Sequence, residues 1–345
     1  MTQYGFYFDS SRCTGCKTCE LVCKDYHDLG PDILFRRIYD FEGGSWEKTP
    51  EGAWNKTAFN YHLAVSCNHC DSLEEIPDGF LDHAVELKTA ESMFQFAYEL
   101  KKVPADLFHK AAKLESVRNA FAYTSLEEVD EDFFAHNPEL SNVTVCFSNT
   151  KLKTVPEKLF AKNPKIDDFS SVFTGILTLE TIPENIFANQ PECDSFYYTF
   201  QGSGLKSIPS KLFANNKKCT DFRSTFNATK ITSIPAELFA GCSKVTTFMT
   251  CFSGCSELQS IPGALFSNTG AFDTVTTTAF NNIFKGCTSL TEIPAGLFDG
   301  FTKVTQFSAS FSGCTSLAKL PSDLFATNTN VTSFANAFQD LSLIH

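Results

Sequence analysis

Four cysteines stand within eleven residues, Cys13-Thr14-Gly15-Cys16-Lys17-Thr18-Cys19-Glu20-Leu21-Val22-Cys23. The spacing C-x2-C-x2-C-x3-C is the run that binds iron–sulfur clusters. The irons of a cubane lie within a few ångströms of each other, so thiolates two residues apart on a tight turn reach adjacent irons without straining the chain. Gly15 relaxes that turn, and loop amides facing the cluster sulfurs lower its charge and set its potential. Zinc is the competing ion, although zinc sites more often use two separated C-x-x-C pairs. A second knuckle begins at Ser66-Cys67-Asn68-His69-Cys70. The candidate metal ligands are therefore Cys13, Cys16, Cys19, Cys23, Cys67 and Cys70. No phosphate-cradling loop, no paired carboxylate with a histidine and no nucleophile motif accompanies them, so the chain is not expected to be an enzyme in its own right.

Tyr4-Gly5-Phe6, the stretch Asp9 to Tyr26, Phe35-Arg36-Arg37-Ile38-Tyr39 and Ser66 to Cys70 together closely resemble the electron-transfer subunits of dimethyl sulfoxide reductases. The resemblance spans residues 1–71. It implies a ferredoxin-like fold with [4Fe-4S] clusters that relays electrons between a membrane anchor and a molybdenum catalytic subunit. On that pattern Cys13, Cys16 and Cys19 would hold one cluster, Cys23 would belong to another, and Cys67 and Cys70 would start a third motif. The two further cysteines expected soon after Cys70 are absent, as are the later quartets, and Asp71-Ser72-Leu73-Glu74-Glu75-Ile76-Pro77 follows instead. The expectation is a truncated head with at most one [4Fe-4S] cluster, built from Cys13, Cys16 and Cys19 with Cys23, Cys67 or Cys70, or with none. An oxidoreductase subunit is the partner such a head would dock on.

Composition changes at the same place. Residues 1–71 hold both tryptophans, six cysteines and five phenylalanines, whereas residues 72–345 hold 31 of the 36 phenylalanines, eight cysteines and no tryptophan. The second region is periodic. Pro77, Pro104, Pro156, Pro183, Pro209, Pro235, Pro262, Pro294 and Pro321 each follow Ile, Val or Leu, with Val129-Asp130 filling the gap, and the steps between anchors are 27, 26, 26, 27, 26, 26, 27, 32 and 27 residues. Apolar residues recur at fixed offsets, as in Ile231, Ile234, Leu238, Phe239, Val245, Phe248 and Phe252. Seven buried positions in about 26 residues cannot enclose themselves, so each unit must stack on its neighbours. The sequence predicts two modules, a head over 1–71 and a solenoid over 72–345. The fold class is α/β: a leucine-rich-repeat solenoid of about ten 26–27-residue repeats with a small truncated ferredoxin-like head.

Within each repeat, Pro before Leu-Phe suits the first turn of a short helix. Leu-x-x-Ile suits a short parallel strand, and Val-x-x-Phe suits either a helix face or a strand. The five extra residues before Phe284 read as a surface loop. The position three before the anchor alternates Glu74, Lys101, Glu127, Lys153, Glu180, Lys206. With strands ~4.8 Å apart, each carboxylate would lie between two ammonium groups and fix the register, or offer a ligand-reading face. Cys255, Cys287 and Cys314, and also Cys193 and Cys219, fall in the packing phase, as structural thiols do. His83, His109 and His136 fall at nearly equivalent offsets; they read as exposed loop histidines, with a metal ladder as the alternative.

Phe252-Ser253-Gly254-Cys255 through Ile261-Pro262 and Phe284-Lys285-Gly286-Cys287 through Ile293-Pro294 resemble the BspA-type leucine-rich repeats. The resemblance implies a solenoid for adhesion or protein binding, usually displayed outside the cell. Against display, the opening residues show neither the basic region nor the apolar core of a secretory signal, which favours the cytoplasm. A net charge of -12 repels nucleic acid, and no run of 18 apolar residues suggests a membrane span. Gln339 to His345 carry no polar capping unit, so exposed apolar surface is expected there. The joint between the modules reads as a gene fusion or a joined reading frame. The expected function is a non-catalytic protein-binding scaffold with a protein ligand; the alternative is one-electron transfer or redox sensing through the head.

Overall fold

The computed structural model describes residues 73–341 in full and, before them, the backbone of four strands. The chain separates into two compact units, Met1–Asp71 and Ser72–His345. In the first, β1 (Arg37–Gly43) pairs antiparallel with β4 (Phe59–Val65), Arg37 opposite Val65 and Gly43 opposite Phe59. Between them in sequence, β2 (Trp46–Lys48) pairs antiparallel with β3 (Trp54–Lys56), Trp46 opposite Lys56. Cys13, Cys16, Cys19, Cys23, Cys67 and Cys70 lie outside the described residues.

The second unit is a stack of coils whose backbone differs from the α/β expectation. Among the described residues there is no α-helix, and the parallel strands shrink to single-residue bridges in a continuous ladder, Thr89–Ser116–Asn142–Asp168–Ser195–Asp221–Thr247. The turn after each anchor is closed by bonds three residues apart, such as Leu107 N–H to Pro104 O at 3.2 Å and Leu238 N–H to Pro235 O at 3.2 Å. Successive bonds of this three-residue type take up the amides that the four-residue bonds of an α-helix would use. The choice left open for Val-x-x-Phe resolves into both halves: the bridge residue just before Val or Phe extends the ladder, and tight turns follow it.

Those turns explain the regularity of the stack. In every coil from Ser92/Phe96 to Asn336/Asp340, two residues four apart adopt positive φ. Each reversal swings an amide toward the next coil: Asn119 N–H donates to Thr144 O at 3.1 Å and Tyr123 N–H to Ser148 O at 2.8 Å, while Ala120 and Ala122 N–H close local turns onto Val117 and Asn119. The left-handed region is costly for residues with a Cβ, and the second of the two positions is accordingly glycine at Gly175, Gly202, Gly254, Gly286 and Gly313. Coils approach closely elsewhere too; a Cβ at Gly204 would fall 2.2 Å from the Leu177 carbonyl oxygen.

The interior is a set of phenylalanine columns. Phe94, Phe121, Phe147, Phe173, Phe200, Phe226, Phe252, Phe284, Phe311 and Phe338 stack with ring centroids 5.5 to 6.2 Å apart and planes within 18°. A second column runs through Phe169, Phe196, Phe222, Phe248, Phe280, Phe307 and Phe334 at 5.7 to 6.0 Å. Rings of a third column meet these at a tilt, as Phe213 does Phe196 at 4.5 Å and Phe222 at 4.9 Å. Offset stacking down a column and tilted contact across columns are the two geometries an aromatic quadrupole favours.

The longest repeat fits without breaking the columns. Its extra residues lie at Gly270–Asp273, after a single 3-10 turn at Ser267–Thr269, and around Thr277-Thr278. This segment is not wholly a surface loop: the half-buried Phe272 packs on Phe301 at 5.1 Å. The bridge ladder stops at Thr247 and resumes with Gln306–Ser333. No helix among the described residues is long and apolar enough to cross a membrane.

Candidate functional site

Positions between the inward-facing phenylalanines point to solvent, and adjacent coils hold them in rows. In the middle of the stack these rows place Asp167, Asp168, Asp194 and Asp221 beside Tyr197, Tyr198 and Arg223. The Arg223 guanidinium forks onto Asp221, Nε to Oδ2 at 2.9 Å and Nη2 to Oδ2 at 2.5 Å, and lies 4.6 Å over the Tyr197 ring. Tyr197 packs on Tyr198 with centroids 4.0 Å apart. Asp194 has its carboxyl pushed up, first by partial desolvation and then by Asp167, Asp168 and Asp221. Asp221 is answered by Arg223; among the described residues Asp167, Asp168 and Asp194 have no ion pair. The patch is thus a rigid aromatic platform bordered by uncompensated negative charge. A second aromatic group lies toward the first coils, where Phe96 stacks on Tyr123 at 5.0 Å and the exposed Tyr98 lies 6.1 Å from Phe96.

The charged column takes a different form from the expected one. Lys101 meets Glu74 at 3.6 Å, Lys153 meets Glu127 at 2.6 Å and Lys206 meets Glu180 at 2.6 Å, giving discrete pairs with no carboxylate shared between two ammonium groups. An ammonium that closes on one carboxylate at this range leaves the neighbour on its other side a full coil away. Lys153 accordingly holds Glu127 below the usual carboxylate range. All six side chains are exposed, so these pairs align register and add little stability.

All eight cysteines of the described residues are buried with free thiols. Cys255, Cys287 and Cys314 donate to the Phe226, Phe252 and Phe284 carbonyls of the preceding coil at 3.1, 3.2 and 3.2 Å, whereas Thr124 and Thr150, at the same position of other coils, donate within their own coil to the Phe121 and Phe147 carbonyls. Cys193 and Cys219 lie against the Ser195 and Asp221 carbonyls. Burial pushes all eight thiols up, Cys242 and Cys255 to about 11 and Cys314 to about 12. His83 and His136 are exposed, whereas His109 is half-buried, its ring 4.3 Å from His136 and its Nε2 without a partner. Among the described residues no group of three or more His, Cys, Asp or Glu side chains converges as a metal site would.

One column escaped the sequence reading. Seven residues after the anchor, the buried amides of Asn137, Asn163, Gln190, Asn216 and Asn328 each donate twice to carbonyls of the preceding coil. Asn216 Nδ2 reaches Phe187 O at 3.1 Å and Gln190 O at 2.8 Å. The shared offset was the available signal. Asn216→Leu removes the side-chain donor from both carbonyls and leaves each with its local turn amide alone, Gln190 N–H to Phe187 O at 3.4 Å and Cys193 N–H to Gln190 O at 3.1 Å; each lost hydrogen bond is worth about 0.5–1.5 kcal/mol. A loss of ~1–3 kcal/mol in chemical unfolding is expected from the two bonds together. Asn216→Cys should cost less, because Cys242 already fills the next position of this column, its Sγ 4.0 and 3.9 Å from the Phe213 and Asn216 carbonyls.

Comparison with known proteins begins with the repeats. The profile of the BspA type leucine rich repeat region matches in six copies across residues 83–220, 174–290 and 206–344. The chain belongs to the BspA-type leucine-rich repeat family. Among solved structures, the Toll–Spatzle complex of Drosophila resembles it with a TM-score of 0.50 at 20% identity, covering 77% of this chain and 35% of that one, a likeness of leucine-rich fold. The N-terminal segment has other relatives. Over 70 residues, 20% of this repeat protein, it is 61% identical to the B subunit of the anaerobic dimethyl sulfoxide reductase of Haemophilus influenzae. Over the same length it is 63% identical to YnfG of Escherichia coli, a probable anaerobic dimethyl sulfoxide reductase subunit. The chain spans about a third of the length of these relatives, 34% in each case.

Proposed function

We propose that this protein is a non-catalytic protein-binding scaffold that recognises a basic, extended segment of a protein ligand on the patch formed by Tyr197, Tyr198, Asp168 and Asp194. The observation that carries this reading is the juxtaposition of two tyrosines in tilted contact with carboxylates that have no ion pair among the described residues, held in place by inter-coil bonds on both sides. Tyrosines supply large contact area at little conformational cost, and the carboxylates steer a cationic partner. Selection of a random-peptide display library on the purified chain tests it. Lysine- and arginine-containing sequences should be enriched, and Tyr197→Ala with Asp194→Lys should remove the enrichment while leaving the circular dichroism unchanged. Enrichment that survives both substitutions, or no enrichment, overturns the reading.

A second reading is supported by the 61% identity of the first 70 residues to a dimethyl sulfoxide reductase subunit. In it, residues 1–71 are a truncated ferredoxin-type head that holds one [4Fe-4S] cluster and passes single electrons, docking on an oxidoreductase subunit. The donor chemistry limits what the head can carry. Four cubanes, each held by a quartet of thiolates, need roughly sixteen cysteines, whereas the chain has 14 and eight of them are buried in the coils. Cys13, Cys16 and Cys19 with Cys23, Cys67 or Cys70 suffice for one cluster, which would supply a one-electron couple. Iron and acid-labile sulfide after anaerobic purification decide this. About four of each per chain, abolished by Cys16→Ser without change in the coil circular dichroism, supports the reading; values near zero leave a vestigial head on a binding scaffold.

A further inference from the structure

We propose that His109 and His136 form a labile binding site for a divalent transition-metal ion of the zinc or nickel class, with both imidazoles as ligands. The two rings meet across adjacent coils, their centroids 4.3 Å apart and their planes tilted by 49°. The repeat places them one position out of phase: His109 directly follows Phe108, whereas His136 comes two residues after Phe134, and those two phenylalanines stack at 6.0 Å. His83 stands in the phase of His136, two residues after Leu81, but Lys110 holds that position in the coil between them. A ladder of three histidines is therefore interrupted, and a pair remains.

One atom separates this pair from an ordinary loop contact. Nε2 of the half-buried His109 is itself buried and has no hydrogen-bond partner among the described residues. A buried ring nitrogen, whether it carries the proton or the lone pair, loses its water without return unless a partner reaches it. The side chain lying against the ring is the exposed His136, a second imidazole. Imidazole suits zinc, copper and nickel, and it binds them through its neutral nitrogen.

The backbone beside both histidines is clamped. Asn137, next to His136, donates from Nδ2 to the carbonyl of Phe108, next to His109, at 2.9 Å and to that of Ala111 at 2.8 Å. The His109 amide donates to Asp106 O at 2.9 Å. What is left to adjust is the exposed His136 side chain. An ion bonded to two imidazoles at ~2.0–2.1 Å in tetrahedral geometry holds their nitrogens roughly 3.3 Å apart. Rings with centroids already 4.3 Å apart reach that bite by rotation of His136 about its side-chain torsions. No group of three or more His, Cys, Asp or Glu side chains converges among the described residues, so the protein supplies two ligands and the other positions go to water or to a donor on a binding partner. An ion held this way exchanges readily, unlike one in a closed structural site. The net charge of -12 favours its approach.

Acylation of the full chain by diethyl pyrocarbonate, with and without nickel chloride and read at His136 by peptide mass spectrometry, tests this. The readout is specific to one side chain, so nickel bound by the cysteines of residues 1–71 does not enter it. As the site fills, nickel should slow acylation of His136 on the order of tenfold in the parent chain. His109→Ala should abolish that protection, and His83 should be acylated at the same rate with and without nickel. Absence of protection at every nickel concentration overturns the proposal. So does protection of His136 that survives His109→Ala, the signature of a single surface imidazole, and so does equal protection of His83. His109→Gln replaces His109→Ala if the latter changes the circular dichroism.

Discussion

Phe213→Ala should cost about 3–5 kcal/mol, the range for emptying a buried aromatic site. Phe213 is fully buried and touches five other rings: Phe187, Phe196, Phe222, Phe226 and Phe239, at centroid distances from 4.5 to 6.2 Å. Phe187 and Phe196 belong to the coil before it, Phe222 and Phe226 to its own coil and Phe239 to the next, so the void cannot be refilled by moving one side chain. The backbone on both sides is pinned by inter-coil bonds such as Phe222 N–H to Thr247 O and Phe196 N–H to Asp221 O, which keep the coils from collapsing inward. In a stack stabilised by nearest-neighbour interfaces the damage is local to one seam. Chemical unfolding should therefore separate into two transitions, and hydrogen exchange should accelerate most in the coils on either side of Phe213. Phe213→Leu, which keeps most of the apolar volume, should cost far less. A single unshifted transition for the alanine variant would show that the columns do not carry the stability assigned to them.

Stability should also fall in alkali, from about pH 9 upward. The ordinary thiol value is 9.0, and burial raises every thiol of the coils above it, Cys242 and Cys255 to about 11 and Cys314 to about 12. The direction of the effect follows from proton counting. Above pH 9 the unfolded chain releases thiol protons that the folded chain retains, so the folded state binds more protons and its stability falls as pH rises. The contribution is complete below pH 9 and is lost between there and the raised values. Each thiol is worth up to about 1.4 kcal/mol per pH unit across that window. With eight buried thiols acting together, the denaturation midpoint should be level to about pH 8.5 and drop steeply toward about pH 11. Cys193→Val with Cys219→Val should flatten the drop without weakening the neutral-pH fold, because Val245 and Val304 already occupy that offset in other coils. A midpoint as steep in this double variant as in the parent would assign the alkaline loss to other groups. The same burial should protect these thiols from maleimide at about pH 8 in the native chain, as peptide mass spectrometry after labelling would show.

The repeat and the identity of its inward residues were legible because stacking makes the demand on sequence local and periodic: one phenylalanine at one offset must meet its copy about 26 residues away. The turns were harder to read. Leu-Phe after proline has good helical character in isolation, and nothing in Val-x-x-Phe distinguishes a helix face from a strand. Nothing in the sequence marks Asn137, Asn163, Gln190 and Asn216 as buried, since asparagine in a polar stretch usually faces water. Their role appears once they are seen to give the carbonyls of Phe108, Phe134, Phe160 and Phe187 a second hydrogen bond, from the following coil. The Tyr197–Arg223–Asp221 patch was likewise invisible, because its members come from adjacent coils and share no motif.

The sequence alone determined that this chain is a stack of leucine-rich coils with a cysteine-rich segment before it, because the spacing of apolar residues admits one way of excluding water. Tertiary structure decided the path of the backbone within each coil. Turns closed by three-residue bonds stand where a helix was expected, and the amide of every second residue reaches the neighbouring coil through paired left-handed residues even where they carry a side chain, as at Val145, Tyr198 and Thr250. It also decided which surface residues become neighbours, since inter-coil hydrogen bonds set the register that brings Tyr197 under Arg223.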